Sequence, residues 1–233
     1  MAKRSFDNFD DYANDYRSIH TDNVKISGAD SFYFARHKVQ QLMQFESSTQ
    51  NARMLDVGCG DGATELFISQ YMPSWKVEAI DISEKSIACA KEKKLANAVF
   101  SVYDGKNIPF EDNHFDILFI AAVMHHIDFT YHGTVMKEMF RVLKPGGRIY
   151  LFEHNPVNPV TRYLVKTCVF DKDAKLLGYN YCNKLLKAAM FRNIEKKFIL
   201  FFPRSGILSN LIKLEEKLGW MPLGGQYMFR AEK

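Results

Sequence analysis

Short apolar runs alternate with longer amphipathic stretches along most of this chain. Residues 54–57, 77–81, 99–103, 115–121, 148–152, 198–202 and 226–231 are rich in Val, Ile, Leu, Phe and Ala, and read as strands. The intervening stretches repeat at helical spacing. Residues 63–71 make a helix closed by Pro73, and Ser83 N-caps another whose Ile87 and Ala88 face inward while Lys91, Lys93 and Lys94 stay wet. Residues 134–143 set Val135, Met139, Val142 and Leu143 on one face, and Lys144-Pro145-Gly146-Gly147 then turns the chain into the fifth strand. Such alternation predicts an α/β fold with a parallel sheet between helices. Residues 34–45 place Val39, Leu42, Met43 and Phe45 on related helical faces and, with Phe6, Phe9, Tyr12 and Tyr16, predict a helical cap over residues 1–50. Residues 161–187 read as helical insertions and 207–218 as a helix.

Chemistry concentrates where the strands end. Gly58, Gly60 and Gly62 follow the first strand, where they let the backbone turn sharply and approach a ligand. Asp81 ends the second strand at the place of an acid that accepts hydrogen bonds from both ribose hydroxyls of a nucleotide. Asp104 and Gly105 follow the third strand, Ala121-Ala122-Val123-Met124-His125-His126 the fourth, and Glu153-His154-Asn155-Pro156-Val157-Asn158-Pro159 the fifth. In an open parallel sheet, ligands bind along that edge. The spacing of Gly58, Gly60 and Ala63 also fits a dinucleotide loop. Asp56 and Asp61 argue against it, because carboxylates repel a pyrophosphate and suit a ligand carrying an ammonium and a sulfonium.

Length and composition narrow the classes further. With 233 residues, 47% hydrophobic and 25% charged, the chain suits one well-packed domain. No apolar stretch approaches a membrane span and no signal-peptide pattern opens the chain, so a cytoplasmic protein is expected. Cys59, Cys89, Cys168 and Cys182 lack paired spacing, which predicts reduced thiols and no metal. Charge is uneven: residues 1–156 hold 17 Lys and Arg against 21 Asp and Glu, and residues 157–233 hold 14 against 6. The basic tail is read either as solvated helix faces or as a surface for an anionic substrate or acidic lipid.

The run Leu55-Asp56-Val57-Gly58-Cys59-Gly60-Asp61-Gly62 resembles the first motif of class I S-adenosylmethionine-dependent methyltransferases, and Leu-Lys-Pro-Gly-Gly at 143–147 is similar to a later one. The resemblance is strong over residues 51–156 and weak elsewhere. It implies a Rossmann-like, seven-stranded, mostly parallel sheet whose last strand is antiparallel, with a cofactor core at 51–156 and substrate-side elaboration and final strands at 157–233. It also implies S-adenosylmethionine as cofactor and S-adenosylhomocysteine as product. Asp56, Gly58, Cys59, Gly60, Asp61, Asp81, Ile82, Gly105 and Ala121 would then bind the donor. Asp104 would meet the adenine amino group, and Tyr16 or Arg36 from the cap the donor's carboxylate. By similarity to sugar O-methyltransferases, the pair His125 and His126 would work with Glu153.

These residues predict in-line methyl transfer to a small polar acceptor, with O-methylation of a hydroxyl expected. His126, or else His125, takes the hydroxyl proton while Glu153 orients the imidazole. His154, Asn155 and Arg162 are the expected acceptor contacts, Arg162 as a clamp for a phosphate or carboxylate on a sugar-like molecule. A binding-only homologue and a dinucleotide-dependent oxidoreductase are the alternatives. A nucleic-acid methyltransferase is disfavoured, because no base-flipping motif and no basic stripe interleaved with aromatics is present.

Overall fold

The computed structural model describes residues 21, 23, 28–169, 171 and 174–233. Seven strands form one sheet in the order β3-β2-β1-β4-β5-β7-β6. They are β1 (Arg53–Val57), β2 (Lys76–Asp81), β3 (Ala98–Val102), β4 (Phe115–Ala121), β5 (Leu143–His154), β6 (Arg192–Ile199) and β7 (Gln226–Glu232). Strands β1 to β5 pair in parallel, and β7 runs antiparallel to both β5 and β6. This is the expected Rossmann-like α/β architecture.

Side chains alternate across the strands, and that period of two separates two cores. Leu55, Val57, Leu118, Ile120, Ile149, Leu151, Tyr227 and Phe229 face one side. There they meet Val135, Met136 and Met139 of one helix and Cys182 and Leu186 of another. Met54, Ile117, Phe119, Tyr150, Phe152 and Met228 face the other, against Ala35, Val39, Leu42, Phe67 and Ile68. Burying each such Leu, Ile or Phe contributes about 1.5–3 kcal/mol, so a slip by one residue would exchange the cores for solvent along a whole strand.

The helices are α1 (Ser31–Leu42), α2 (Ala63–Tyr71), α3 (Glu84–Glu92), α4 (Phe129–Val142), α5 (Pro159–Thr167), α6 (Tyr179–Ala188) and α7 (Glu215–Leu218). Ser83 caps α3 by accepting a hydrogen bond from the Ser86 N–H at 3.0 Å, as its sequence position predicts. Helix α4 begins earlier than residue 134, because Asp128 caps it by accepting from the Thr130 N–H. Strand β6 lies at 192–199 and not at 198–202. It is an edge strand, and its Arg192, Asn193, Glu195 and Lys196 face water, which hides its apolar period. Residues 207–218 are a 3-10 turn at Ile207–Leu214 followed by α7, not one helix. Of the predicted cap, α1 packs through Ala35, Val39 and Leu42, while Met43 and Phe45 are exposed and residues 1–20 lie outside the described residues.

Candidate active site

The glycine loop leaves β1 at the carboxyl edge of the sheet. Gly58 has φ +79°, and a Cβ there would stand 2.4 Å from Cγ2 of Val123, so only glycine lets the loop lie against the chain leaving β4. Gly60, with φ +55°, has nothing within 4 Å of where a Cβ would be. The loop amides turn toward the protein. Gly58 and Cys59 donate to the Ile80 carbonyl, Gly62 to the Cys59 carbonyl, and Gly60 to a carboxylate oxygen of Asp81 at 2.8 Å. These amides are occupied, so they do not form the outward cradle that holds a pyrophosphate. The other Asp81 oxygen accepts from the Ser83 N–H at 2.9 Å.

Charge on the loop is distributed differently from the sequence expectation. Asp61 is an ion pair with Lys93, 3.5 Å from its carboxylate, and Lys93 also donates to the Asp61 carbonyl. Asp56 is buried beside Glu65 on α2, and burial together with that second carboxylate raises its pKa well above the usual range. Burial likewise pushes Glu65 up to about 6. The two acids share proton occupancy and stand as a weaker anionic site than two free carboxylates. Glu65 was missed in the sequence, although its spacing from Ile68 placed it on the buried face of α2.

Beyond β4 the chain turns through Ala122, at φ +59°, into a 3-10 turn at Met124–His126. Glu153 at the end of β5 fixes that turn. One carboxylate oxygen accepts the Met124 N–H at 2.9 Å, and the other lies 2.6 Å from His125 Nδ1. Glu153 therefore orients His125 and makes no such contact with His126. Asp171, in the connection after α5, brings one oxygen within 3.6 Å of His125 Nε2 and 3.4 Å of His126 Nε2. Burial works to lower the His125 pKa, but Glu153 and Asp171 outweigh it and hold it up to about 10. His126 is lowered by burial and by the neighbouring His125. Asp171 was not among the sequence candidates. No periodic signal marks it, because it reaches the histidines only through the loop's path.

A cavity of about 990 Å³ joins these parts. Its wall includes Asp56, Gly58, Cys59, Gly60, Asp61, Asp81, Ile82, Asp104, Gly105 and Ala121, together with His125, His126, His154 and Asp171. Asp104 is on the wall, but its carboxylate is engaged by the amides of Lys106 and Asn107 and by the Asn107 side chain. His154 faces the cavity, and burial and the adjacent His125 push it down to about 3. Asn155 does not reach it. Its side chain donates to the carbonyls of Pro222 and Gly224 and accepts the Val157 N–H, so it staples the chain ahead of β7. Arg162 is exposed and off the wall. Arg36 is also exposed. Lys38 takes the cavity side of α1, at helical spacing from Ala35 and Leu42, and Tyr33 and Arg204 stand with it. Tyr16 lies outside the described residues.

Residues 55–151 match the model of a family described as a methyltransferase domain. Over these residues the chain is similar to methyltransferases. It is 33% identical over 125 residues to a ubiquinone/menaquinone biosynthesis C-methyltransferase of Ectopseudomonas mendocina, covering 51% of this chain and 48% of that protein. It is 33% identical over 137 residues to a demethylmenaquinone methyltransferase of Staphylococcus aureus, with 56% of each covered. The chain thus spans about half the length of these relatives. Its fold is shared with a methyltransferase of Thermotoga maritima, at TM-score 0.69 and 18% identity over 97% of this chain and 98% of that one. It is also shared with phosphoethanolamine N-methyltransferase 2 of Haemonchus contortus in complex with S-adenosylhomocysteine, at TM-score 0.62 and 21% identity over 84% and 52%.

The residues present fit S-adenosylmethionine, the ligand held by another structure of the Haemonchus contortus enzyme. The open side of Gly60, the Asp81 carboxylate and the cavity beyond them make a cradle at the sheet edge. The oxidoreductase alternative is not favoured by the inward-turned loop amides. Among the described residues no helix is long and apolar enough to cross a membrane.

Proposed function

We propose that this chain transfers a methyl group from S-adenosylmethionine to a hydroxyl-bearing small molecule, which loses its proton at the cluster of His125, His126 and Asp171. The observation that carries this reading is that the glycine loop, Asp81 and this cluster all line one cavity. The donor supplies a methyl group already activated by its sulfonium. The chain's task is then to bind, align and exclude water, which contributes several kcal/mol to an in-line displacement.

Val160 and Leu164 of α5 and Phe201 give the wall an apolar portion, while His154, Lys38 and Arg204 supply polar and cationic positions. We therefore infer an acceptor with an apolar body and one or more oxygens. The anionic, sugar-like acceptor expected at Arg162 loses that support, since Arg162 is off the wall.

A second reading, methylation at a ring carbon activated by an ionised neighbouring hydroxyl, is favoured by the likeness to two quinone-pathway methyltransferases. Incubation with the methyl donor labelled at its methyl carbon and a panel of phenols, quinols and polyols tests both. The product's NMR shift distinguishes an O-methyl from a C-methyl group. Replacing His126 with Ala should lower turnover by about a hundredfold or more at nearly unchanged donor affinity. Full turnover in that variant, or no transfer to any hydroxyl compound in the panel, would sink the proposal.

A further inference from the structure

His125, His126 and Asp171 bring ligand-type atoms together, although the cysteine spacing predicts no metal. Nitrogens of His125 and His126 and an oxygen of Asp171 all lie within 4.8 Å of one another. Asp171 Oδ1 is 3.6 Å from one Nε2 and 3.4 Å from the other. Ligand atoms about 2.0–2.1 Å from a tetrahedrally coordinated ion lie roughly 3.4 Å apart, so these separations already suit a bound ion.

Two further observations point to a ligand. The His125 side chain is 1% exposed, yet its Nε2 has no hydrogen-bond partner and is aimed at the cluster. A buried ring nitrogen without a partner is a standing cost that an ion would remove. The opposite nitrogen, Nδ1, is 2.6 Å from the buried Glu153 carboxylate. That is the outer-sphere arrangement in which a carboxylate fixes a metal-binding imidazole's orientation and tautomer.

We propose that His125, His126 and Asp171 bind a first-row divalent cation of the zinc class, with Glu153 as the positioning residue behind His125. Two imidazoles and one carboxylate favour such an ion over magnesium or calcium, which prefer oxygen donors. Because the cluster lines the cavity, a fourth position faces the acceptor space. An acceptor oxygen bound there would ionise more readily. The inference stands on the geometry of the cluster and not on methyl transfer.

The test is titration of tag-free, chelator-stripped protein with Zn²⁺ by calorimetry, and with Co²⁺ by visible absorption. The expected result is one ion per chain at micromolar affinity or better, with cobalt showing the d–d bands of a low-coordinate site. Asp171→Asn and His126→Ala should each weaken binding by about a hundredfold, and Glu153→Gln by about ten- to a hundredfold. S-adenosylhomocysteine affinity, measured on the same samples, verifies that each variant is folded. Absence of stoichiometric binding, or equal binding in wild type and all three variants, overturns the metal site. If methyl transfer persists in stripped protein that binds no metal, only the metal proposal fails. If the ion binds but no acceptor is methylated, only the functional proposal fails.

Discussion

His125 Nδ1 and a carboxylate oxygen of Glu153 lie 2.6 Å apart, and both side chains are almost wholly buried. Because the second oxygen of Glu153 holds the Met124 amide, one residue at the end of β5 ties down the whole turn that follows β4. Glu153→Gln keeps the shape but removes the charge. Losing one charge-assisted buried contact should lower stability by about 1.5–3 kcal/mol in denaturant unfolding. An unchanged unfolding midpoint would show that the carboxylate's charge has no part in fixing the turn.

Much of this was legible in the chain. The strands and the glycine loop could be read because buried parallel strands leave near-continuous apolar runs, and because tight turns at a ligand need glycine. Gly58 meets both conditions, since its φ is +79° and Val123 fills the space a side chain would take. What stayed hidden depended on side-chain direction or on loop path. Arg36 lies on the exposed face of α1, whereas Lys38, three residues after Ala35 and four before Leu42, lines the cavity, and only the docking of the helix decides which cation turns inward. Asn155 looked like an acceptor contact because an amide offers the same donors and acceptors to a ligand as to backbone carbonyls. Asp171 had no local signal at all, since nothing in the 44 intervening residues says that its loop returns to His126.

Asp81 links the loop to the donor's expected position. Its carboxylate accepts the Gly60 amide at 2.8 Å and the Ser83 amide at 2.9 Å while lining the cavity. Asp81→Ala should weaken S-adenosylmethionine binding by about 1–3 kcal/mol, roughly a five- to hundredfold rise in Kd by calorimetry. Unaltered affinity would remove Asp81 from the donor site.

The buried acids under the loop predict a pH dependence. Glu65 is pushed up to about 6 by burial, with Asp56 within hydrogen-bonding reach and Asp61 and Lys93 the other charges acting on it. An acid whose folded pKa is raised holds its proton more tightly in the folded chain, so its stabilising contribution is complete below pH 4.5 and is lost as pH rises toward 6. Glu65→Gln removes that loss. Thermal unfolding of both proteins should show the variant gaining on wild type between pH 4.5 and 7, by about 2–4 °C in Tm for each kcal/mol recovered. A constant difference across that range would mean that Glu65 is not titrating there.

Gly58 offers a test of how the loop and the histidine turn depend on each other. A Cβ at position 58 would stand 2.4 Å from Cγ2 of Val123, and Val123 directly precedes the turn that carries His125 and His126. Gly58→Ala therefore combines two costs: a left-handed backbone at about 1–2 kcal/mol, and a steric clash that displaces Val123 at about 1–3 kcal/mol. Adding Val123→Ala removes the clash and leaves the backbone cost. In a double-mutant cycle the pair should be less destabilised than the sum of the single changes by about 1 kcal/mol or more, because the two positions are in contact. Methyl-transfer activity should recover in parallel if the clash acts by moving the turn. Strict additivity would mean that the glycine is required for its backbone angle alone and that the loop and the histidine turn are set independently.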